Sequence, residues 1–538
     1  MSGPEFYKNK WWVLLSFSVL ILVIYGHTLG GGFVYDDRGI LENSAMLQNT
    51  ENLEQILLHP YWNPESGLYR PVTLLSYSLN FTIFGQSPAY FHFVNILLYV
   101  VISFLIYLLV KNLFRNGILA FSTAILFLFW PIHTEVVANI SGRSELLALF
   151  FSLLVLLQFV KDKPNFWLAG LWMLFAVGSK ETAVATLPIS LLVLYIKNSS
   201  LNLSTLKKHF RLVSAVLISA CFYFFLRFYA LSYNFGLENF FGVKTTSIEN
   251  PLMFTDVLSR VSTAFGVLWI YFTKLFWPVQ LCSDYSYNQI PIVPSFWNMG
   301  SLFGLFLFMV SVWLLIHYLK TRPVLSLGAG IFLFSFIPVS NIFFPTGTIA
   351  GERLFFFPSL GFALIISYLI YKLYLKIKKP HLKILLISLM AAVLIGYGLI
   401  SIKRSWMWNN EERLFLSAVK CAPQSVLSRS NAGAMHLLRG DLAKAQEELE
   451  IAMSIKPIYS KGINNLGLVY FRLGQNEKAR KLYLEALRQE FPYFGAAENL
   501  VLLYLTENKP EMARHWLRYL YPGNENLIKN FIDNYYSK

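Results

Sequence analysis

The chain has 538 residues, of which 55% are hydrophobic, 17% aromatic and only 14% charged, with a formal net charge of +15. Soluble domains carry about 25% charged residues, so this composition excludes a wholly soluble protein and points to an integral membrane protein. The three cysteines, Cys221, Cys282 and Cys421, show no CxxC or other metal-ligand spacing, which argues against both a disulfide framework and a zinc site.

In chain order, apolar runs predict about eleven spans, near residues 11–29, 91–110, 117–133, 145–160, 166–179, 182–196, 211–231, 297–317, 324–340, 354–371 and 384–402. Several are shorter than the roughly 20 residues that a straight spanning helix needs. The first run reads as a retained span and not a cleaved signal peptide, because Lys8 and Lys10 precede it and "LGGGFVY" follows it. Alternate loops differ in charge. "YKNK", "KNLFRN", "KDK", "KNSSLNLSTLKKHFR", "YLKTR" and "YKLYLKIKKPHLK" hold seventeen Lys/Arg, against two acids, Glu5 and Asp162. The opposite set holds nine Lys/Arg and fourteen acids. Basic loops stay cytoplasmic, so most of the positive charge is topological and needs no nucleic-acid partner. The acidic loops, with Asp36 and Asp37 in a first outer loop at 30–90, then face away from the cytoplasm. To preserve this parity, the apolar segment 256–278 is read as a re-entrant or interfacial helix.

Past Ile402 the pattern becomes that of a helical array. "NAGAMHLLRGDLAKAQEELEIAMSIKP" aligns with "NLGLVYFRLGQNEKARKLYLEALRQEFP" at a spacing of 34, pairing Gly433 with Gly467, Gly440 with Gly474, Ala445 with Ala479 and Ala452 with Ala486. A 34-residue period with small residues where helices cross is the tetratricopeptide signature. The expected division is a transmembrane domain at 1–403 and a tetratricopeptide domain of about three repeats plus a half at 404–538. The fold class is all-α: a polytopic helix bundle followed by an α-solenoid.

Charged groups gather on the non-cytoplasmic rim. They are Asp36 and Asp37, Arg70, His92, His133 and Glu135, Arg143 and Glu145, Lys180 and Glu181, and Glu352 and Arg353. Taken singly, many have an ordinary reading: interfacial charges, a helix cap, a satisfied helix-end histidine at His133. Together they are more informative, because ionisable groups inside a bundle are costly unless paired or solvated. Cations hold phosphate, and a carboxylate takes a proton from an acceptor hydroxyl. Gly30, Gly31 and Gly32 would let the chain turn sharply before the aspartates.

An Asp pair after the first span, "YRP", "HTEVVANISGRSELLA", "SKE", "ERLFFFPSLG" and a C-terminal tetratricopeptide array occur in that order. This order resembles the transmembrane and tetratricopeptide-repeat-containing O-mannosyltransferases of the GT-C superfamily. The short array and compact loops resemble a bacterial-type member. The resemblance implies a hexosyltransferase that moves mannose or another hexose from a polyprenyl-phosphate donor to an acceptor hydroxyl, such as a protein Ser or Thr, with inversion. It implies Asp36 or Asp37 as general base and the remaining rim residues as substrate-binding, with Lys180, Arg143 and Arg353 offered to the leaving phosphate. The resemblance implies no definite cofactor. A divalent metal beside the two carboxylates is compatible, though no ligand spacing demands one. The expected partners are the lipid-linked donor in the membrane and a protein or peptide acceptor on the array. The expected location is a bacterial inner membrane with a periplasmic array, or an endoplasmic-reticulum membrane with a lumenal one. Competing readings are a flippase of lipid-linked sugars, a transferase acting on a glycan or lipid acceptor, and a membrane anchor for the array.

Overall fold

The computed structural model describes residues 9–42, 44–48, 53–62, 67–235, 245–490 and 493–536. All regular structure among these residues is helical. The chain forms two compact units, one of residues 1–283 and 292–414, the other of 284–291 and 415–538. The expected domain limit at 403/404 falls inside the helix Pro380–Met407, and the short segment 284–291 belongs with the C-terminal unit.

Among the described residues of the first unit, seven helices are long and apolar enough to cross a membrane: Lys10–Gly30, Pro88–Phe114, Ile140–Val160, Phe210–Ser232, Met299–His317, Glu352–Lys376 and Pro380–Met407. Gly117–Phe129 and Pro131–Ala138 form an eighth when taken as one span bent by 58°. All eleven apolar runs of the sequence fall on helices, but this criterion does not reach the expected count of about eleven. Phe166–Ser179 and Pro323–Val339 are apolar but short. The shortening has a cause in the sequence. At Lys180 the backbone is extended, and the chain resumes as a tight turn of helix at Glu181–Ala185 before Thr186–Asn198. The helix ends that carry the rim charges are thus wound differently from the apolar middles.

Local chemistry sets several boundaries. Asn9, Asn116, Asn165 and Asn298 each cap a helix with a side-chain oxygen, and Pro71, Pro88, Pro323 and Pro380 open helices where no N–H is needed. The loop expected at 30–90 contains a 14-residue helix, Pro71–Phe84. The helix Val257–Phe276, capped by Asp256, is amphipathic, with Ser262, Phe265, Leu268 and Tyr271 on its buried side. It packs on Met299–His317, where Gly304 meets the carbonyl of Phe265 and any larger residue would collide.

Among its described residues the C-terminal unit has three helix pairs: Val426–Leu438 with Leu442–Ile455, Ser460–Arg472 with Asn476–Gln489, and Phe494–Thr506 with Pro510–Leu520. A helix at Glu525–Tyr536 follows them. The period is visible in the turns as well as in the core. Gly440 and Gly474 have φ of 78° and 74°, and Asn508, at the same register, has φ of 56°. In each turn the next N–H bonds back five residues: Asp441 to His436, Gln475 to Tyr470, Lys509 to Tyr504. This closes the helix with a left-handed residue. Tyr483 is fully buried, Tyr504 nearly so, and Tyr470 and Trp516 pack against the same core. Asp284 bonds Ser425 and accepts from Ser428 Oγ (3.1 Å), tying 284–291 to the start of the array.

Left-handed backbone costs a non-glycine residue about 1–2 kcal/mol. Gly474→Ala should therefore lower the stability of the C-terminal unit by about that much, whereas Asn508→Gly should leave it equal or slightly raised. Thermal unfolding of the full chain followed by circular dichroism distinguishes the two.

Candidate functional site

The aspartate pair divides its work. Tyr35, just before it, holds φ of 57°, a conformation costly for a bulky residue. The kink lies at Tyr35; the three glycines have no left-handed φ. Gly31 is required for another reason: a side chain there would meet Thr28 O at 3.0 Å and His92 Nε2 at 3.1 Å. Beyond the kink, Asp37 is 1% exposed. Its Oδ1 accepts the N–H of Ser141 at 2.7 Å and its Oδ2 that of Val34 at 3.4 Å. Burial lifts its pKa to about 7, opposed by those two N–H donors. Asp36 is half-buried and hydrogen-bonds no described side chain or amide. Burial raises its pKa also; Arg353 pulls it down and Glu135 pushes it up, so these groups lie within electrostatic reach of one another.

The receiving turn at 139–142 is built for Asp37. Asn139 folds its side chain back onto Ser141 N and Oγ. Gly142 lies against the carbonyl of Val136, where no side chain fits.

Three ion pairs join the rim charges, and Arg353, Glu135 and Arg70 among them act on the charge of Asp36. Glu135 takes both the main-chain N–H of Arg353 (3.1 Å) and its Nη1 (2.6 Å). Arg70 forms a two-pronged pair with Glu181, at 3.2 and 3.0 Å, and lies over the ring of Tyr61. Lys180 pairs with Glu145. Exposure separates them: the Arg353 side chain keeps 32% of its surface and Glu181 25%, while Lys180 keeps 5% and Glu145 7%. Arg353 is the most accessible cation of the sequence-derived set.

Other members of that set are placed in packing. Arg143 is fully buried. It donates to Asn95, Asn80 and the carbonyl of Phe91 and stacks on Tyr77 and Phe91, so it has no surface to offer a leaving phosphate. His133 is held by Tyr99 OH at 2.9 Å and Ser359 Oγ at 2.8 Å, within a cage of Phe127, Trp130 and Phe356. His92 lies buried beneath Gly31. Glu352, fully buried, accepts the N–H of Cys282 at 2.5 Å. Sequence reasoning missed Tyr271. Its hydroxyl accepts from Gly351 N (2.9 Å) and donates to Gly351 O (3.0 Å), while its ring stacks on Phe355, bracing both sides of the Glu352–Arg353 turn. No spacing signals that partnership. Among the described residues, no group of three or more His, Cys, Asp or Glu could hold a metal.

These features define a multi-pass membrane protein with an ion-paired rim, joined to a tetratricopeptide array. Comparison with known families agrees. Residues 64–226 match the family model for dolichyl-phosphate-mannose-protein mannosyltransferase, residues 243–316 that of the TMTC protein O-mannosyl-transferases, and residues 460–490 the tetratricopeptide repeat. A protein O-mannosyl-transferase of Caenorhabditis elegans is 28% identical over 460 residues, covering 84% of this chain and 63% of that protein. Human TMTC1 is 28% identical over 485 residues (82% and 55%), and mouse TMTC3 26% over 506 (87% and 54%). The chain is similar to these O-mannosyl-transferases over most of its own length, and the match spans about half to two-thirds of each relative's length.

The raised pKa of Asp37 carries a pH signature. Below about pH 4 the carboxyl is protonated folded or unfolded. Between pH 4 and 7 the unfolded chain ionises it while the folded protein keeps the proton, so stability falls as pH rises and the loss is complete above pH 7. Asp37→Asn removes this slope. The variant should gain stability relative to the unsubstituted protein between pH 4.5 and 7.5, by at most about 4 kcal/mol, in thermal unfolding of the detergent-solubilised protein. The opposite trend would mean that the folded site favours the ionised form.

Proposed function

We propose that the chain is a membrane glycosyltransferase that moves a hexose, mannose by analogy with its relatives, from a polyprenyl-phosphate donor to an acceptor hydroxyl on the non-cytoplasmic face. The observation that carries this reading is the division of the aspartate pair: Asp37 is tied to backbone N–H groups, while Asp36 stands half-buried before Arg353 with its carboxylate uncommitted. Asp36 is the base. Burial raises the pKa of its carboxyl, which makes the carboxylate a better proton acceptor than an exposed one. It takes the proton of the acceptor hydroxyl. The oxygen attacks C1 of the sugar from the face opposite the phosphate, the C1–O bond to the lipid phosphate breaks, and the configuration inverts. The leaving phosphate carries away negative charge, and the accessible guanidinium of Arg353, aimed by Glu135, balances it. Arg70 and Glu181 border the same site. The tetratricopeptide array, with its concave face, takes an extended peptide acceptor. The helix at 256–278 lies at the outer interface without crossing, which leaves array and site on one side.

A general base contributes about 10²–10⁴-fold in rate. Asp36→Asn should lose at least 10²-fold in transfer from a radiolabelled polyprenyl-phosphate hexose to peptide while still binding the donor. Full turnover by that variant would move the base elsewhere, with Glu135 next in line. The topology is tested separately. A cysteine introduced beside Gly474 should react with a membrane-impermeant maleimide in intact cells; labelling only after lysis would place the array, and the site, in the cytoplasm.

A further inference from the structure

The turn between Ser340 and Gly351 presents an unexplained surface. Phe343 is 60% exposed and Phe344 51%. Exposed rings on a loose loop would find cover by folding back. This turn is pinned. Asn341, 2% exposed and at φ 59°, donates to Thr348 O at 3.1 Å and accepts from Thr346 N at 2.7 Å. Asn250 donates to Asn341 Oδ1 (2.9 Å) and Thr346 O (2.6 Å). Thr245 Oγ1 donates to Gly347 O, and Ile349 N to Glu249 O. The backbone is therefore committed, and the rings stay outside.

The location narrows the partner. The turn leaves the apolar helix Pro323–Val339 and enters Glu352–Lys376, so its tip stands at a membrane rim. Arg353 follows Phe344 by nine residues. Glu249, bonded to the turn, is near enough to Asp36 to act on its charge. A lipid whose phosphate meets Arg353 must run its hydrocarbon from this rim into the bilayer, and the turn that leads into Arg353 carries two exposed rings on a fixed backbone.

We propose that Phe343 and Phe344 form a clasp for the first isoprenoid units of the lipid-linked donor. The inference rests on the transferase reading for the donor's identity, and two kinds of measurement keep the two apart.

The first is kinetic. The double variant Phe343→Ser/Phe344→Ser should raise the KM for a long-chain polyprenyl-phosphate hexose about tenfold. For a water-soluble donor with a short alkyl tail, the KM should move less than twofold. Phe343→Leu/Phe344→Leu, which keeps the apolar surface, should restore the long-chain KM. Equal rises for both donors, or no rise, would overturn the clasp. The second is binding without chemistry. A sugar-free prenyl phosphate, photoreactive in its first isoprene unit, should crosslink at 343–344, and should do so more strongly than a phosphatidylcholine photoreactive in its acyl chain. Equal crosslinking by the two would assign the rings to the bulk bilayer and overturn the proposal. If the unsubstituted protein transfers no hexose from any donor yet the prenyl probe maps to these rings, the clasp stands and the transferase reading fails. If transfer is normal and the probe maps elsewhere, the clasp fails and the transferase reading stands.

Discussion

The hydrogen bond from Ser141 N–H to Asp37 joins the first outer loop to the turn at 139–142, and the surrounding site is arranged about it. Three carbonyls of that turn, besides the Ser141 N–H, are also claimed by side chains from other elements. Asn95 donates to Asn139 O, Tyr77 to Ile140 O and Tyr61 to Ser141 O. A buried turn cannot leave such groups bare without losing about 1–3 kcal/mol for each. Satisfying them from several directions fixes where the Ser141 N–H points, and through it where Asp37 and its neighbour stand. The arrangement uses a carboxylate in a place where water is excluded, which is why its pKa rises. A neutral amide would avoid that cost, but it has one accepting oxygen where Asp37 uses two, one for the Ser141 N–H and one for that of Val34.

The ion pairs follow the same logic with charge added. Removing two opposite charges from water is repaid only by good geometry, and the two most fully bonded pairs are the two-pronged Arg70–Glu181 and the Glu135–Arg353 pair with its additional main-chain bond. Lys180 and Glu145 have single-point contact and deep burial, which suits support more than ligand binding. Arg353 combines firm anchoring with accessible surface. A cation that is aimed before the substrate arrives need not reorganise as charge moves to a leaving group.

Some of this was legible in the sequence and some was not, for identifiable reasons. The repeat was readable because Gly440 and Gly474 mark left-handed turns at a spacing of 34; the third turn escaped notice because Asn508 fills that role without being glycine. Rim charges were readable as a group, since ionisable residues beside apolar runs stand out. Their pairing was not, because Glu135 with Arg353 and Arg70 with Glu181 join residues more than a hundred positions apart. Arg143 and Arg353 look equivalent in the sequence; only the asparagine, carbonyl and ring contacts around Arg143 show that its guanidinium is spent on packing. The helix Pro71–Phe84 was hidden inside a presumed loop, its start marked only by Pro71 and its length too short for a span.

Tyr271 explains what the helix Val257–Phe276 contributes whether or not it crosses a membrane. The helix buries one side against Met299–His317 and sends a single hydroxyl to both polar groups of Gly351. Gly351 precedes Glu352, which bonds Cys282, and Arg353, which bonds Glu135. The turn that carries the accessible cation is therefore held at three consecutive residues by three separate parts of the chain. A loop of glycine, glutamate and arginine has no apolar surface of its own to fix it. Its order must come from such bonds, and the amphipathic helix supplies the first of them from outside the set of long apolar spans.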